Sequence, residues 1–186
     1  MDAARRRKQP ERVRRSLLDC AAALALEQGL AAVTVQAVCE AAGVTKGGLF
    51  HHFASKQALI DAVVAELLEK LDADIEAAMA RDPEAWGRFT RAYVTVTLDD
   101  LMLNQSSQWT ALYISSLTEP SLRRVTAAWF ARFVERHRAT DDDPTLEIVR
   151  LATDGAWLAA LLREDGGPMP DLPALRERLL AMTRRA

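Results

Sequence analysis

The stretch Thr34-Val-Gln-Ala-Val-Cys-Glu-Ala-Ala-Gly-Val-Thr-Lys-Gly-Gly-Leu-Phe-His-His-Phe53 restricts the fold more than any other part of the chain. Thr34 is placed to cap a first short helix whose apolar side is Val35, Val38 and Cys39. Ala41-Ala42 runs into Gly43, the residue type that turns a chain through a positive φ at least cost. Val44 follows the turn. Thr45 can cap a second helix with Leu49, Phe50 and Phe53 as its apolar residues. A small Ala42, a glycine turn and an apolar Val44 let two helices cross steeply, which predicts a helix-turn-helix. A helical hairpin within a core is the alternative, but it has no need of so short a second helix opening on Gly47-Gly48.

A helix-turn-helix meets DNA with helix N-termini near phosphates and with the exposed side of its second helix in the major groove. By position, Thr34, Thr45, Lys46, His52 and Lys56 face phosphates, and Lys46, His51 and Gln36 are candidates for base edges. Gly47 and Gly48 offer no side chain; their expected value is close approach of backbone to bases. His51-His52 is otherwise a solvated pair or one packed ring, and neighbouring helical positions diverge too far to share a metal. Arg5, Arg6, Arg7 and Lys8 are either a basic arm on DNA or a solubilising tail.

Charge supports a DNA-binding head. The net charge of −2 hides nine Lys/Arg against five Asp/Glu in residues 1–56, and fifteen against twenty-one in 57–186. A basic first third on an acidic body suits a head that approaches phosphates and a body that avoids them. With 49% hydrophobic and 27% charged residues, the 186-residue chain has the composition of a soluble globular protein. No apolar run reaches the length of a membrane span, and no apolar segment follows the basic N-terminus, so a cytoplasmic location is expected and no membrane partner. Cys20 and Cys39 fall in helical patterns without Cys-x-x-Cys spacing, which suggests neither disulfide nor zinc.

Helical periodicity continues throughout. Residues 10–28 carry Val13, Leu17, Ala21 and Leu24 at helical spacing up to Gly29, behind a polar and mobile 2–8. Ser55 caps a long helix to about Arg81, with Leu59, Val63, Leu67, Leu71 and Ile75 every four residues, broken by Asp82-Pro83. Further helices are expected over 84–102, 106–117, 119–138, 144–164 and from 171 onward, with Thr140-Asp-Asp-Asp-Pro144 as a polar loop. No strand-length alternation interrupts them.

The 34–56 region resembles the TetR family of bacterial transcriptional repressors. The resemblance rests on Thr34, Ala41-Ala42-Gly43-Val44, Lys46-Gly47-Gly48, Phe50, His52-Phe53 and Lys56. It extends from about Arg12 to Leu59; beyond it only length and helical character agree. Phe50 stands where the family often has a tyrosine reaching a phosphate, and keeps only the ring. Cys39 stands where alanine is usual.

The resemblance implies an all-α chain of about nine helices. Residues 1–54 would form a three-helix, helix-turn-helix DNA-binding domain, with 1–8 a mobile basic arm. Residues 55–186 would form a helical ligand-binding and dimerisation domain. It implies a small-molecule effector among the middle helices, where Trp86, Phe89, Tyr93, Met102, Gln108, Trp109, Tyr113, Trp129 and Phe133 are the lining candidates and Thr97, Asn104, Gln105 and Ser116 lie among them. Taken singly, each of these aromatics reads first as a core residue; only the set suggests a pocket. It also implies a homodimer through the last two helices, using Ile148, Leu151, Gly155, Trp157, Leu158, Leu161, Leu175 and Leu179. The expected function is a repressor released from double-stranded operator DNA by an apolar or aromatic effector. A ligand-independent or thiol-responsive regulator is the alternative. No nucleophile–base set, phosphate loop or metal-ligand spacing suggests an enzyme, a cofactor or a metal.

Overall fold

The computed structural model describes residues 2–103, 119–161 and 171–185, apart from the side chains of 2–9, Leu26, Asp100, Leu103 and Leu161. The described residues form nine α-helices and one 3-10 turn, with no strand among them. The helices are α1 (Asp2–Gln28), α2 (Val35–Ala42), α3 (Lys46–His52), α4 (Lys56–Ala80), α5 (Arg88–Leu103), α6 (Pro120–Arg136), α7 (Arg138–Asp141), α8 (Pro144–Leu161) and α9 (Leu172–Met182); the turn is Leu30–Ala32.

Nine helices agree with the expected number, though the set is different. The expected 106–117 helix lies outside the described residues, as do Gln108, Trp109, Tyr113, Asn104, Gln105 and Ser116. The expected polar loop instead begins with the short α7. Its fold has a tertiary cause, since Asp141 is drawn into the interior as an acceptor for α5. α1 already begins at Asp2 and holds Pro10 in its interior. The run Ala3-Ala4-Arg5-Arg6-Arg7-Lys8 consists of strong helix formers, which offsets the bond that a proline removes. α5 starts four residues later than expected, because Trp86-Gly87 forms a turn.

The chain divides into two compact units, Met1–Leu68 with Gln108–Arg124, and Glu69–Ser107 with Val125–Ala186. In the first unit α1 packs on α2 and α3, and α2 on α3. Leu17, Leu18, Ala21, Val33, Val38, Leu49, Phe53 and Leu59 form its buried core. In the second unit α5 lies against α7, α8 and α9, and α9 also against α8. Phe89, Val94 and Leu98 of α5 are buried with Phe133 of α6, Leu146, Val149 and Trp157 of α8, and Leu172 and Leu179 of α9. Each such large apolar side chain contributes about 1.5–3 kcal/mol on burial.

Buried polar groups tie the second unit together. Asp141 Oδ1 accepts from the Thr90 N–H (2.8 Å) and Thr90 Oγ1 (2.7 Å), and its Oδ2 accepts from Thr140 Oγ1 (2.8 Å). This caps the start of α5 from fifty residues away. Arg91 is buried and donates to Asp82 Oδ2 (2.6 Å), the Glu84 carbonyl (2.7 Å) and the Thr183 carbonyl (3.3 Å). Burial works to raise the Asp82 carboxyl, but the Arg91 bond and the Glu84 N–H hold it below its ordinary value.

Candidate nucleic-acid interface and aromatic cluster

Local chemistry sets the head. Thr34 Oγ1 accepts from Ala37 N–H (3.1 Å) and Thr45 Oγ1 from Gly48 N–H (3.1 Å), so both threonines are N-caps. Ser55 Oγ does the same for Ala58 N–H (3.0 Å) at the start of α4. Gly43 closes α2 in the left-handed region, φ 64°. Val44 N–H then returns to the Cys39 carbonyl (3.0 Å), so the chain leaves α2 through a Schellman turn.

α3 is held by its buried residues, Leu49 and the following Phe53, leaving Lys46, Gly47, Phe50 and His51 exposed. Phe50 does not pack with them; it is 48% exposed. An apolar ring held in water on this face is available to sugar carbons or thymine methyls. His52 is half-buried, its ring edge-on to His51 at 5.2 Å. Gln36 is exposed on α2 and donates to Glu40 Oε1 (2.9 Å), and Lys56 is exposed at the first position of α4. Thr34, Thr45, Lys46, Gly47 and Lys56 are all exposed on this unit.

The two glycines of α3 differ. A Cβ at Gly48 would lie 2.7 Å from Val44 Cγ1, whereas at Gly47 the nearest atom is Thr45 Oγ1 at 3.9 Å. Gly48 is required by the turn itself, and Gly47 is not. Gly48→Ala should therefore lower the stability of the head, since overpacking of about 1–3 kcal/mol exceeds the roughly 1 kcal/mol gained in helix propensity. Gly47→Ala should leave the fold intact or slightly more stable while reducing DNA affinity about tenfold, or roughly 1.4 kcal/mol. Thermal melts paired with DNA-binding isotherms separate the two; equal losses of stability would refute the distinction.

In the second unit, four of the aromatic candidates come together. Phe89, Tyr93, Trp129 and Phe133 join through ring contacts of 5.0–6.1 Å. Phe130 and His137, which the sequence reading did not single out, belong to the same cluster. Trp86 lies elsewhere, with the Arg185 guanidinium 3.4 Å over its ring, and Met102 is exposed. His137 stacks on Phe89 with ring centroids 5.0 Å apart, and its Nε2 lies 3.5 Å from Glu76 Oε1 without a hydrogen bond. Burial pushes the imidazole below its ordinary value, against the pull of Glu76 and Asp141. Tyr93 Oη donates to Asp154 Oδ1 (2.5 Å), a carboxyl that burial raises.

Of the residues expected at a dimer interface, Trp157 and Leu179 are buried within their own chain, and Leu158 and Leu175 are half-buried. The Leu161 side chain lies outside the described residues. Ile148 and Leu151 are 57% and 62% exposed. Gly155 is exposed one turn on, with nothing within 4 Å of a Cβ built there. These three residues make an apolar stripe along the outer side of α8.

Among the described residues, no group of three or more His, Cys, Asp and Glu could hold a metal ion. No described helix is long and apolar enough to cross a membrane.

Comparison with known proteins agrees with this anatomy. Residues 17–63 match the family of bacterial regulatory proteins, tetR family, and residues 87–184 match the tetracyclin repressor-like C-terminal domain. The chain is 45% identical over 58 residues to the HTH-type transcriptional repressor KstR2 of Rhodococcus jostii, a match covering 31% of this chain and 28% of that protein. It is 28% identical over 176 residues to the HTH-type transcriptional regulator BetI of Burkholderia mallei, covering 88% of each. Among solved structures, the multidrug binding protein EbrR complexed with ethidium superposes with a TM-score of 0.69 at 27% identity, over 91% of this chain and 97% of that one. A TetR-family regulator from Streptomyces coelicolor has the same fold, with a TM-score of 0.69 at 22% identity over 92% of each chain. Two family matches that together span the head and most of the body, on a helix-turn-helix capped as described, place the chain in the TetR family of DNA-binding transcriptional regulators.

Proposed function

We propose that this chain is a homodimeric repressor that leaves its operator when a small apolar or aromatic effector binds in its second unit. The observation that carries the DNA side of this reading is α3. Its buried residues fix the helix to the head, while Lys46, Gly47, Phe50 and His51 stand free. Thr34, Thr45, His52 and Lys56 serve as phosphate contacts in this reading, and Gln36 and Gly48 flank the reading face. One seven-residue helix offers few base contacts, so useful specificity requires two heads on successive major grooves, about 34 Å apart.

DNA selection from a random pool tests the readout. Lys46→Ala and Lys56→Ala should weaken binding to all sequences and each lower the salt slope by about one unit. His51→Ala should relax preference at one or two operator positions. The same motif at the same information content would take His51 out of the groove.

The effector side is supported by the cluster of Phe89, Tyr93, Trp129 and Phe133, and by EbrR, whose complexes include ethidium, proflavin and imidazole. An effector shifts operator binding only by as much as it prefers the DNA-free state. The expected preference is about tenfold or more, corresponding to roughly 1.4 kcal/mol of coupling. Titrating effector into protein with and without operator, read by tryptophan quenching, measures it directly. Equal affinities would favour a ligand-independent regulator.

A further inference from the structure

Three consecutive residues that follow α9 grip the turn that follows α4. The Thr183 carbonyl accepts from Arg91 Nη1 (3.3 Å). Arg184 Nη1 donates to Glu84 Oε2 (2.9 Å). The Arg185 guanidinium lies 3.4 Å over the Trp86 ring. Beneath them the buried Arg91 of α5 holds the same turn from inside, through Asp82 Oδ2 (2.6 Å) and the Glu84 carbonyl (2.7 Å). One side chain thus joins the turn after α4 to the end of α9.

The turn is shaped for this contact. Gly87 holds φ 67°, and a Cβ there would lie 2.9 Å from the Thr183 carbonyl oxygen and 3.1 Å from Arg91 Nη1. Only a glycine lets the end of α9 rest directly on the backbone of the turn. The inner and outer parts of the grip differ in strength. Arg91 is 5% exposed, where leaving its charge unpaired would be costly. The Arg184 side chain is 62% exposed, and an ion pair in water is weak; Arg185 is exposed as well. The outer part can therefore open while the inner part stays closed.

α9 also lies against α8, whose outer stripe is Ile148, Leu151 and Gly155. Met182, the last residue of α9, is 47% exposed immediately before Thr183. A second copy of the chain that covers Met182 together with the stripe would order the last turn of α9, and with it the two arginines. We propose that Arg184 and Arg185 are positioning residues, a strap through which dimerisation on α8 and α9 stiffens the Asp82–Trp86 turn that ends α4. This rests on the homodimer of the proposed function and adds a route from its interface to the end of α4. Linkage makes the route reciprocal: a strap that closes better in the dimer favours the dimer by the same factor.

Hydrogen exchange on the full-length protein tests the strap, read at the Gly87, Arg88 and Arg91 amides, which bond to the Thr140, Ala85 and Gly87 carbonyls. The monomeric reference is the Ile148→Glu, Leu151→Glu double variant. In the wild-type dimer these amides should exchange about tenfold more slowly than in the monomeric reference. With Arg184→Gln and Arg185→Gln added to each, the ratio should fall to within about twofold, and the dimer dissociation constant should rise about tenfold. Lysine at both positions should restore most of the ratio. If the paired glutamines disturb folding, Arg185→Gln alone takes their place and should remove about half of the effect on a logarithmic scale. A purely structural role would speed exchange in dimer and monomer alike; a ratio that survives in this way overturns the strap and leaves the homodimer standing. Equal exchange in the wild-type dimer and the monomeric reference does the same. A wild type that sediments as a monomer, or a double variant that remains dimeric, overturns the interface itself and the strap with it.

Discussion

Ile148→Glu combined with Leu151→Glu should convert the protein from dimer to monomer at micromolar concentration and lower operator affinity by a hundredfold or more. Both side chains are more than half exposed in the single chain, at 57% and 62%, so charging them removes little packing within it. Their burial would come from a partner. Two glutamates facing their symmetry mates across an isologous interface place like charges in a desolvated seam, which costs several kcal/mol. Far-UV circular dichroism should be unchanged, and sedimentation should report half the mass. Loss of one half-site from each binding event then accounts for the fall in affinity. Val125→Glu, at another exposed apolar position, is the control and should remain dimeric. Gly155→Leu should also separate the protomers, since no described residue of its own chain lies within 4 Å of a Cβ at that position. A double variant that sediments as a dimer would place the interface elsewhere.

The helix-turn-helix was legible in the sequence because its determinants are local. Thr34, Thr45 and Ser55 each bond a backbone N–H three residues on, and Gly43 closes its turn through Glu40, Cys39 and Val44. Every partner lies within five residues, so residue type and spacing suffice. Phe50 shows the limit of that reading. It looks like a core residue in a run of apolar positions, and only the placement of Leu49 and Phe53 beneath it leaves it in water.

The body was less legible, for two reasons. Helical spacing of three or four residues leaves the phase of a face uncertain by a residue. In the 119–138 helix, Leu122, Val125, Trp129 and Phe133 have the spacing of one apolar face, but Val125 is exposed, and the interior stripe also takes in Thr126, Phe130 and His137. The second reason is that a leucine or tryptophan carries no mark of which surface will cover it. Trp157 and Leu179 are filled in by their own chain, whereas Ile148 and Leu151 are not, and the distinction depends on where α5 and α9 lie against α8. Trp86 likewise looked like a member of the aromatic set; the turn at Gly87 and the arrival of Arg185 give it a different neighbour.

Asp141 is the residue whose importance the sequence concealed most completely, and its removal should be the most damaging single change in the second unit. In Thr140-Asp-Asp-Asp-Pro144 three identical acids stand in a row, and composition marks them all as solvated. Asp142 is exposed and Asp143 caps the next helix by accepting from Thr145 N–H (2.8 Å), but Asp141 is only 2% exposed. It takes hydrogen bonds from Thr90 N–H, Thr90 Oγ1 and Thr140 Oγ1, with Phe89 N–H at 3.4 Å. Asp141→Ala would leave the first N–H groups of α5 unpaired and remove the acid nearest the buried Arg150, whose own charge burial already disfavours. Deleting one partner of such a network costs about 3–5 kcal/mol, because the groups left behind remain buried without compensation. For a chain of this size that is a fall of roughly 10 °C in melting temperature, measured at fixed protein concentration since dimer stability depends on it. Asp142→Ala, one position along, should shift the melt by no more than about a degree, because it loses only an exposed pairing with Arg138. Similar melts for the two variants would mean that the Asp141 network contributes nothing to folding.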